Sequence, residues 1–379
     1  MATIMPSDVG DITTFYLENY MAKSWADAVR PYQTHICADE LFTKRRKKGA
    51  PSEKMTFNLK IRQADNTTAD SFFKADSLNR VDLGVKGEVK WHFQKTHFMV
   101  DKREPAMLSG SKVQILDYLK MQESDMYDGF FQQNEEWCWN VPTAPNTGST
   151  GDPLPFGIPY WITQSTTDAF GFNGDYPIAN HDTGYDTNTP VGGVSSDTYS
   201  KWKNGTGRYT DGFADFAECS QVMSEAMDKC HFKPPRGGFG ETEPQRNYGL
   251  YSTYEPFHGY ETLIFSSNDV IGRDMGKWST GKPANQLGTH VFRGIQWEWV
   301  PALTEAGGAA RDLWEPIYGI NWDTFDIYTY GDLFMDRSEP LTIDSQHNTI
   351  VQWMDTGYQI CCKNRRENFV LRSKVVSTT

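Results

Sequence analysis

The uninterrupted stretch of residues 109–139 constrains the fold of this chain more than any other feature of the sequence. It contains no proline, and the serines at its start can cap a helix. At about 1.5 Å per residue, one helix here would be roughly 40 Å long and would serve as a spine along which other elements pack. Its large apolar residues recur at helical spacings, namely Leu116, Leu119, Met126, Phe130 and Trp137.

Residues 1–50 are predicted to form an N-terminal arm. An amphipathic helix is predicted over residues 13–29, because apolar residues recur on related faces and Pro31 ends the pattern. Two interpretations of the basic run that follows stay open: a solvated loop, or a local contact with DNA or with an acidic neighbouring subunit. The run consists of Lys44, Arg45, Arg46, Lys47 and Lys48.

Alternating apolar residues predict a long two-stranded ribbon after the arm. The first strand covers residues 55–61 and its partner residues 88–100, where a change of phase before Phe98 indicates a bulge. A two-stranded ribbon is marginally stable by itself and no neighbouring segment is an obvious cover, so we expect a second subunit to supply one. The candidate intersubunit contacts are Phe72, Phe73, Lys74, Trp91 and Phe93.

The rest of the chain combines one further long helix with many strands. The helix is predicted at residues 213–230 with Thr210 or Asp211 as its N-cap, and the loop-rich stretch before it holds an extended segment at residues 156–162. The predicted class is α+β with antiparallel sheets. Strands are predicted at residues 262–265, 291–301, 317–322 and 325–330, and a hairpin at residues 349–354 and 358–363 around a turn at 355–357.

Charge, cysteine content and hydropathy argue against several classes of protein. The chain of 379 residues carries a formal net charge of −12, which argues against a general nucleic-acid binder, because affinity for phosphate backbones comes from excess lysine and arginine. Its six cysteines lack C-x-x-C spacing and are predicted to be reduced, mostly buried thiols. No apolar run approaches the length of a membrane span and the N-terminus lacks a secretory layout, so we expect residence in a cytoplasm.

The sequence contains one partial match to a phosphate-binding motif, and this match lacks a residue that the motif requires. Residues 276–282 match G-x-x-x-x-G-K, but Pro283 replaces the Ser or Thr that ligates magnesium in a phosphate-binding loop. We therefore predict no catalytic residue, no cofactor and no metal site, and a protein that is not an enzyme. The alternative is a β-rich carbohydrate-active or carbohydrate-binding protein that uses acids beside tryptophans. Those residues are Trp297, Glu298, Trp299, Trp322 and Asp323.

The predicted elements follow a distinctive order: a basic-tipped arm, a long β-ribbon, a long uninterrupted helix, a loop-rich lobe with a second helix, and a return through strands. This order resembles the major capsid protein of tailed bacteriophages, the Hong Kong 97-like fold, over essentially the whole chain. Three short stretches are also similar to segments of phage coat proteins, at residues 267–272, 292–295 and 346–349.

The resemblance implies a division into four regions. Residues 1–50 would be the N-terminal arm, 51–104 the extended loop, 105–153 with 310–379 the peripheral domain with its spine helix, and 154–309 the axial domain around the five-fold and six-fold axes. Some family members join subunits through Lys–Asn isopeptide bonds. The candidates here are Lys74, Lys86 or Lys90 with Asn364, but no motif selects among them and we expect no cross-link.

The resemblance also implies partners and a location. The chain is expected to self-assemble into pentamers and hexamers of an icosahedral shell that encloses double-stranded DNA without sequence-specific binding. Because only the 50 residues of the arm precede the ribbon, scaffolding is expected to be a separate protein. A portal and an optional decoration protein complete the partners, with no membrane. Assembly would occur in the bacterial host cytoplasm and lead to the virion capsid. A tail or decoration protein is a third hypothesis.

Overall fold

The computed structural model describes residues 35–61, 84–101, 103, 112–140, 154–165, 169–174, 190–210, 213, 215–232, 247–267, 289–305, 315–343 and 346–373. The helices are α1 (Lys112–Cys138), α2 (Ile158–Trp161), α3 (Phe216–Lys229), α4 (Tyr254–Ser267) and α5 (Pro301–Glu305). Further helical segments are a π-helix at Ala38–Thr43 and 3-10 helices at Val191–Gly193, Trp322–Thr324 and Arg365–Glu367.

The strands form two sheets and a separate ribbon. In chain order they are β1 (Arg46–Gly49), β2 (Lys54–Lys60), β3 (Gly84–Lys90), β4 (His92–Asp101), β5 (Gly171–Gly174), β6 (Asn204–Tyr209), β7 (Tyr248–Ser252), β8 (Thr289–Phe292), β9 (Ile295–Trp299), β10 (Ile317–Asn321), β11 (Phe325–Tyr330), β12 (Asp336–Arg337), β13 (Leu341–Ile343), β14 (Gln346–Cys362) and β15 (Phe369–Ser373).

The six-stranded sheet, which we call the spine sheet, is built around β14. Strands β4, β11, β12 and β13 all pair with β14 in antiparallel fashion, and β1 pairs with β11 in parallel. The seven-stranded sheet has the order β5-β6-β15-β10-β7-β9-β8, and the ribbon consists of β2 and β3. This mixture of helices and mainly antiparallel sheets confirms the predicted α+β class.

The predicted spine helix is confirmed as α1, which begins at Lys112 and ends at Cys138. Phe130 of α1 is 1% exposed and packs against Met354 of β14. One turn further on, the Tyr358 hydroxyl of β14 donates a hydrogen bond to the side-chain oxygen of Asn134. The helix therefore lies on one face of the spine sheet, which we call the inner face, through the apolar stripe that its periodicity predicts.

The ribbon is shorter than the sequence predicts. Strands β2 and β3 pair from Lys54↔Lys90 to Lys60↔Gly84, while β4 turns away and pairs with β14 over ten residues in one register. The prediction of residues 88–100 as one ribbon strand with a bulge was therefore wrong beyond Lys90. Trp91 and His92 are both buried at the change of direction, which accounts for the shift in alternation.

The apolar face of the ribbon is covered within the chain itself. Phe57 of β2 is 5% exposed, and its ring meets that of Trp161 edge-to-face with 5.9 Å between the centroids. Gly192 allows this closeness, because it has a φ of 63° and a Cβ there would lie 3.0 Å from both rings. The expectation that this part of the ribbon needs a second subunit as its cover was wrong.

The predicted hairpin at residues 349–363 does not form, because β14 runs without interruption from Gln346 to Cys362. Gly357, which was expected in a turn, lies opposite Phe93 of β4. A Cβ at Gly357 would lie 3.0 Å from the Phe93 ring. The glycine therefore makes room for an aromatic side chain across the strands instead of turning the chain.

Other local predictions were wrong where burial outweighs local propensity. Residues 262–265 belong to α4 rather than to a strand, because Phe257 and Tyr260 pack one face of that helix into the core. Residues 156–162 contain the buried helical turn α2 instead of an extended segment. Residues 291–301 split into β8 and β9 around Arg293 and Gly294, whose φ values of 50° and 84° suit a tight hairpin turn.

The second long helix is confirmed, although it starts later than predicted. Helix α3 begins at Phe216, and the Asp215 carboxylate caps it by accepting from the Glu218 amide at 2.7 Å. The predicted caps Thr210 and Asp211 precede this point, and the Glu218 side chain accepts from the Thr210 hydroxyl instead. The acidic first turn is favourable to the helix dipole.

The two sheets do not follow the predicted region boundary at residue 310. Strands β10 and β15 come from residues 310–379 but lie in the seven-stranded sheet beside strands of residues 154–309. At the other end, β1 of the predicted arm is a strand of the spine sheet. The names peripheral domain, axial domain and arm stay predictions, because they refer to positions in a shell.

The six cysteines are all free and buried, which confirms the prediction of reduced thiols. In the described part of the chain, no group of three or more His, Cys, Asp or Glu side chains is placed to hold a metal ion. None of the described helices is long and apolar enough to cross a membrane. The motif at residues 276–282 and the predicted helix at 13–29 lie outside the described residues.

Candidate functional site

Opposite α1, the spine sheet presents a second face, which we call the outer face. Direct cross-strand pairs fix its members, because paired residues in an antiparallel sheet point to the same side. Three large apolar side chains of this face, Phe93, Met99 and Leu341, are 51%, 56% and 54% exposed. Exposed apolar surface of this kind marks interaction sites. The apolar and aromatic side chains of the outer face are Phe93, His97, Met99, Leu341, Val351 and Trp353, and the charged pair Lys95–Asp355 lies on the same face.

The middle of the outer face is organised by aromatic contacts. The His97 and Trp353 rings face each other across β4 and β14, with 4.4 Å between their centroids. At one end, the Phe93 ring meets Tyr330 edge-to-face at 5.2 Å. These contacts hold the rings in place without burying them, so the face is ordered before a partner arrives and loses little side-chain entropy on binding.

The predicted ribbon contacts divide between surface and core. Phe93 is exposed as expected, although it belongs to β4 of the spine sheet. Trp91 is 4% exposed, its ring meets Tyr330 edge-to-face at 5.3 Å, and it packs over Gly49. It belongs to the chain's own core, so its prediction as an intersubunit contact was wrong. Phe72, Phe73 and Lys74 lie outside the described residues.

The basic run begins in a turn and continues into strand β1, so the prediction of a loop was wrong for residues 46–48, although Lys44, Arg46, Lys47 and Lys48 are exposed to solvent. The Arg46 guanidinium lies 4.5 Å above the Phe334 ring. The other four cations form ion pairs within the chain: Lys44 with Glu40 at 2.5 Å, Arg45 with Asp323 at 2.9 Å, Lys47 with Asp326 at 2.8 Å and Lys48 with Asp332 at 2.5 Å. Exposed pairs contribute only about 0–1 kcal/mol, so a contact of this run with DNA or another subunit stays a prediction.

The tryptophans of the carbohydrate hypothesis are mostly core residues. Trp297 is fully buried and its indole donates to the Ser252 hydroxyl at 2.8 Å. Trp322 is 1% exposed and its indole donates to the Tyr251 hydroxyl at 2.8 Å. Neither ring can stack on a sugar, so the carbohydrate hypothesis has no support from these residues.

A buried arginine, which sequence reasoning did not single out, joins loops on the seven-stranded sheet. Arg365 is fully buried and donates to the carbonyl oxygens of Trp161 at 2.7 Å, Trp202 at 2.8 Å and Gly174 at 3.0 Å. Three carbonyls from separate segments thus accept hydrogen bonds from one guanidinium. Such bonds are stronger than neutral ones because the donor is charged. The sequence carries no signal for this role, since its partners lie far along the chain.

Glu135 of α1 is a second buried charge that the sequence analysis did not single out. Its carboxylate is 1% exposed and accepts from the Trp139 indole at 2.8 Å and from the backbone amides of Cys37 at 2.9 Å and Ala38 at 3.3 Å. Burial raises the pKa of Glu135 to about 7, although these hydrogen bonds act to lower it. Glu135 and Trp139 are four residues apart, which suits a contact along one helix. The amides of Cys37 and Ala38 lie far away in the sequence, so no local pattern predicts that Glu135 binds them.

A cleft of about 570 Å³ lies beside the segment that Glu135 holds. Its walls come from that segment, from α1 and from the edge of β7 and β9. Glu40 in the wall accepts from Asn247 at 2.6 Å and pairs with Lys44. The segment at residues 36–43 therefore packs against α1 and also borders this cleft.

The chain as a whole is similar in structure to solved capsid proteins. A chain of the capsid asymmetric unit of cyanophage A-1(L) superposes with a TM-score of 0.55 at 12% sequence identity, covering 94% of this chain and 96% of that chain. A chain from the capsid of a native GTA particle gives a TM-score of 0.51 at 9% identity, covering 93% and 96%. No protein-family model matches the sequence, and no curated protein matches it.

These likenesses define the class of fold, which is that of a viral shell protein. More narrowly, the chain has the Hong Kong 97-like fold of tailed-phage major capsid proteins. The fold that the order of elements predicts is thereby confirmed, and it extends over nearly the whole chain.

Proposed function

We propose that this protein is the major capsid protein of a tailed double-stranded DNA bacteriophage and that its copies assemble into an icosahedral shell. The observation that carries the proposal is the capsid fold, which extends over 94% of the chain in the comparison with the cyanophage A-1(L) protein. The match covers 96% of that protein as well, so the two chains correspond as whole subunits rather than through a shared part.

We propose that the outer face is the surface that binds a second copy of the chain. Phe93, Met99 and Leu341 expose apolar surface there, and its removal from water contributes roughly 25 cal/mol per Å². A stable interface needs about 1,000 Å² in total, so this face would be the apolar centre of a larger contact. In a closed symmetric assembly each contact is repeated, and individually modest interfaces stabilise the shell together.

The charge of the chain suits a container for DNA. A formal net charge of −12 gives little general attraction to phosphate backbones, so enclosed DNA would not be held to the wall. The cations of residues 44–48 are mostly paired with acids of the same chain, which further reduces the positive charge offered to DNA. Sequence-specific binding is not part of the proposal.

The proposal includes partners and a location. The subunits would form pentamers and hexamers, with a separate scaffolding protein and a portal, and with a decoration protein as an optional addition. Assembly in the bacterial host cytoplasm would end in the virion capsid. Co-expression with the products of neighbouring phage genes tests these partners, because a scaffolding protein would increase the yield of closed particles and co-purify with their precursors.

Size-exclusion chromatography with light scattering tests self-assembly through the outer face. The wild-type chain should give pentamers, hexamers or megadalton particles, whereas the double variant Met99→Ser/Leu341→Ser should stay monomeric with an unchanged melting temperature. The matched control Met99→Leu/Leu341→Met keeps the apolar surface and should assemble. A wild-type chain that is monomeric at every concentration would contradict the proposed function. Assembly of the serine variant would exclude this face as the interface.

A further inference from the structure

The carboxylate of Glu135 closes the start of a helical segment that belongs to a distant part of the chain. The segment leads into the π-helix Ala38–Thr43, and its first turn has no side-chain cap of its own. The first amides of a helix lack intrahelical partners, and an oxygen acceptor that binds them stabilises the helix start. Glu135 supplies that acceptor from α1, through the amides of Cys37 and Ala38.

No described cation forms an ion pair with this carboxylate. Lys44, on the same segment, pairs with Glu40 instead. Burial holds the pKa of the Cys37 thiol and of the Tyr358 phenol well above their usual values, so both stay neutral near pH 7. The titratable groups on the elements packed around Glu135 are His35, Cys37, Glu40, His92, Cys138, Tyr251 and Tyr358.

Ionisation of Glu135 therefore places in the core a charge that N–H donors offset in part and that no described cation pairs with. Its pKa rises from an ordinary value of 4.5 to about 7 on folding, because burial disfavours the charged form. A group with a raised pKa in the folded state contributes stability that is complete below its unfolded pKa and is lost as the pH rises through its folded pKa. The contact between residues 36–43 and α1 is thus stronger at pH 6 than at pH 8.

The segment also borders the cleft. Ile36, Ala38 and Thr43 line it together with Phe131 of α1, whereas Leu41 and Phe42 are buried in the core. Its other attachments include the Asn247–Glu40 hydrogen bond and the aromatic contacts of Phe42. The strength of the Glu135 contact therefore affects how firmly residues 36–38 are joined to α1.

We propose that Glu135 is a proton-dependent latch that fixes residues 36–43 to the spine helix below neutral pH and loosens them above. The proton binds to one carboxylate oxygen while the other continues to accept from the amides. The inference does not depend on the proposed function, since it concerns a contact within one subunit. Its effect would be to make the contact between residues 36–43 and α1 sensitive to pH near neutrality.

Hydrogen exchange of the Cys37 and Ala38 amides, measured as protection factors on the purified chain between pH 5.5 and 8.5, tests the latch. From the two pKa values, the opening equilibrium should rise about tenfold between pH 6 and pH 8, so protection should fall about tenfold. Glu135→Gln keeps the acceptor oxygen and cannot ionise, so its protection should not change with pH. Wild-type protection that is independent of pH would overturn the proposal.

A second variant keeps the test decisive if Glu135→Gln does not fold. In the wild type, the hydrogen bond from the Trp139 indole lowers the pKa of Glu135. Trp139→Phe removes this donor, which should raise the pKa of Glu135, and it retains an aromatic ring in the buried site. The pH at which protection is half lost should therefore move upward relative to wild type. A purely structural role of Trp139 would reduce protection equally at every pH, and an unchanged midpoint would overturn the latch.

Discussion

The two faces of the spine sheet use similar residues in opposite ways. On the inner face, Phe130 and Met354 are both 1% exposed and the Asn134–Tyr358 hydrogen bond is fully buried. On the outer face, Met99 and Leu341 are more than half exposed. The strands β4 and β14 contribute to both faces, so the alternation of side chains along one strand separates the residues that pack against α1 from those on the opposite face.

The exposed apolar residues of the outer face lie on a well-ordered sheet whose other face packs against α1. The inner face is covered by α1 around Phe130, Asn134 and Tyr358, through apolar side chains and a satisfied polar pair. The outer face is ordered by its ring contacts yet has no described cover along Phe93, Met99 and Leu341. Substitutions on the inner face should therefore change stability, and those on the outer face should change association.

Phe130→Asp is expected to have the largest effect. A carboxylate would replace a ring that is 1% exposed, with no described cation beside it, so the free energy of unfolding should fall by more than about 4 kcal/mol. The chain should be recovered only in inclusion bodies, as judged by fractionation and circular dichroism. A soluble, cooperatively melting variant would show that α1 is not the core of the inner face.

Phe93→Asp is the matched substitution on the outer face. Phe93 is 51% exposed, so its loss removes mainly the edge-to-face contact with Tyr330, worth about 0.5–1.5 kcal/mol. The subunit should fold and melt within a few degrees of wild type but fail to assemble in light scattering. Loss of folding on the scale of Phe130→Asp would remove the distinction between the two faces.

Tyr358→Phe tests how much the buried hydrogen bond between Tyr358 and Asn134 stabilises the inner face. It removes the hydroxyl that donates to Asn134 and leaves a buried oxygen without that donor, so unfolding should become easier by about 1–3 kcal/mol. Chemical denaturation measures the change, and assembly at low temperature should be retained. The exposed residue Tyr254 is the control, since Tyr254→Phe should shift the denaturation midpoint much less.

Glu123→Gln is expected to have the smallest effect. Glu123 pairs with Arg337 at 2.5 Å at the rim of the inner face, and both side chains are partly exposed. Such pairs contribute at most about 1 kcal/mol, so the variant should fold, melt and assemble like wild type. A loss of assembly with unchanged melting would place this rim in an interface and extend the contact surface beyond the outer face.

Much of the fold could be predicted from local patterns. The helical stripe through Phe130 was found from its period, and the strands at Ile317–Asn321 and Phe325–Tyr330 are short apolar segments that are buried at most or all positions. Gly357 was misread because a glycine that accommodates a cross-strand ring has the same sequence signature as one that turns the chain. That distinction depends on the register of β14 with β4, which local sequence does not specify.

The candidate site was less predictable for the same reason. Phe93 was identified, but Met99 and Leu341 join it only through pairings with Val351 of β14. Trp91 was misassigned because its exposure depends on the change of direction between β3 and β4. Glu135 was missed because the amides it binds lie 97 and 98 residues away along the chain. Long-range pairing, rather than residue type, determines each of these roles.

Electron microscopy of the purified, expressed protein tests the central claim most directly, namely that this subunit builds a shell through surfaces that its own fold leaves uncovered. The account predicts closed icosahedral particles, or the pentamers and hexamers from which they form, with the outer face of each subunit buried against another copy. Only monomers, or only small rings or trimers of the kind expected from a tail or decoration protein, would contradict it.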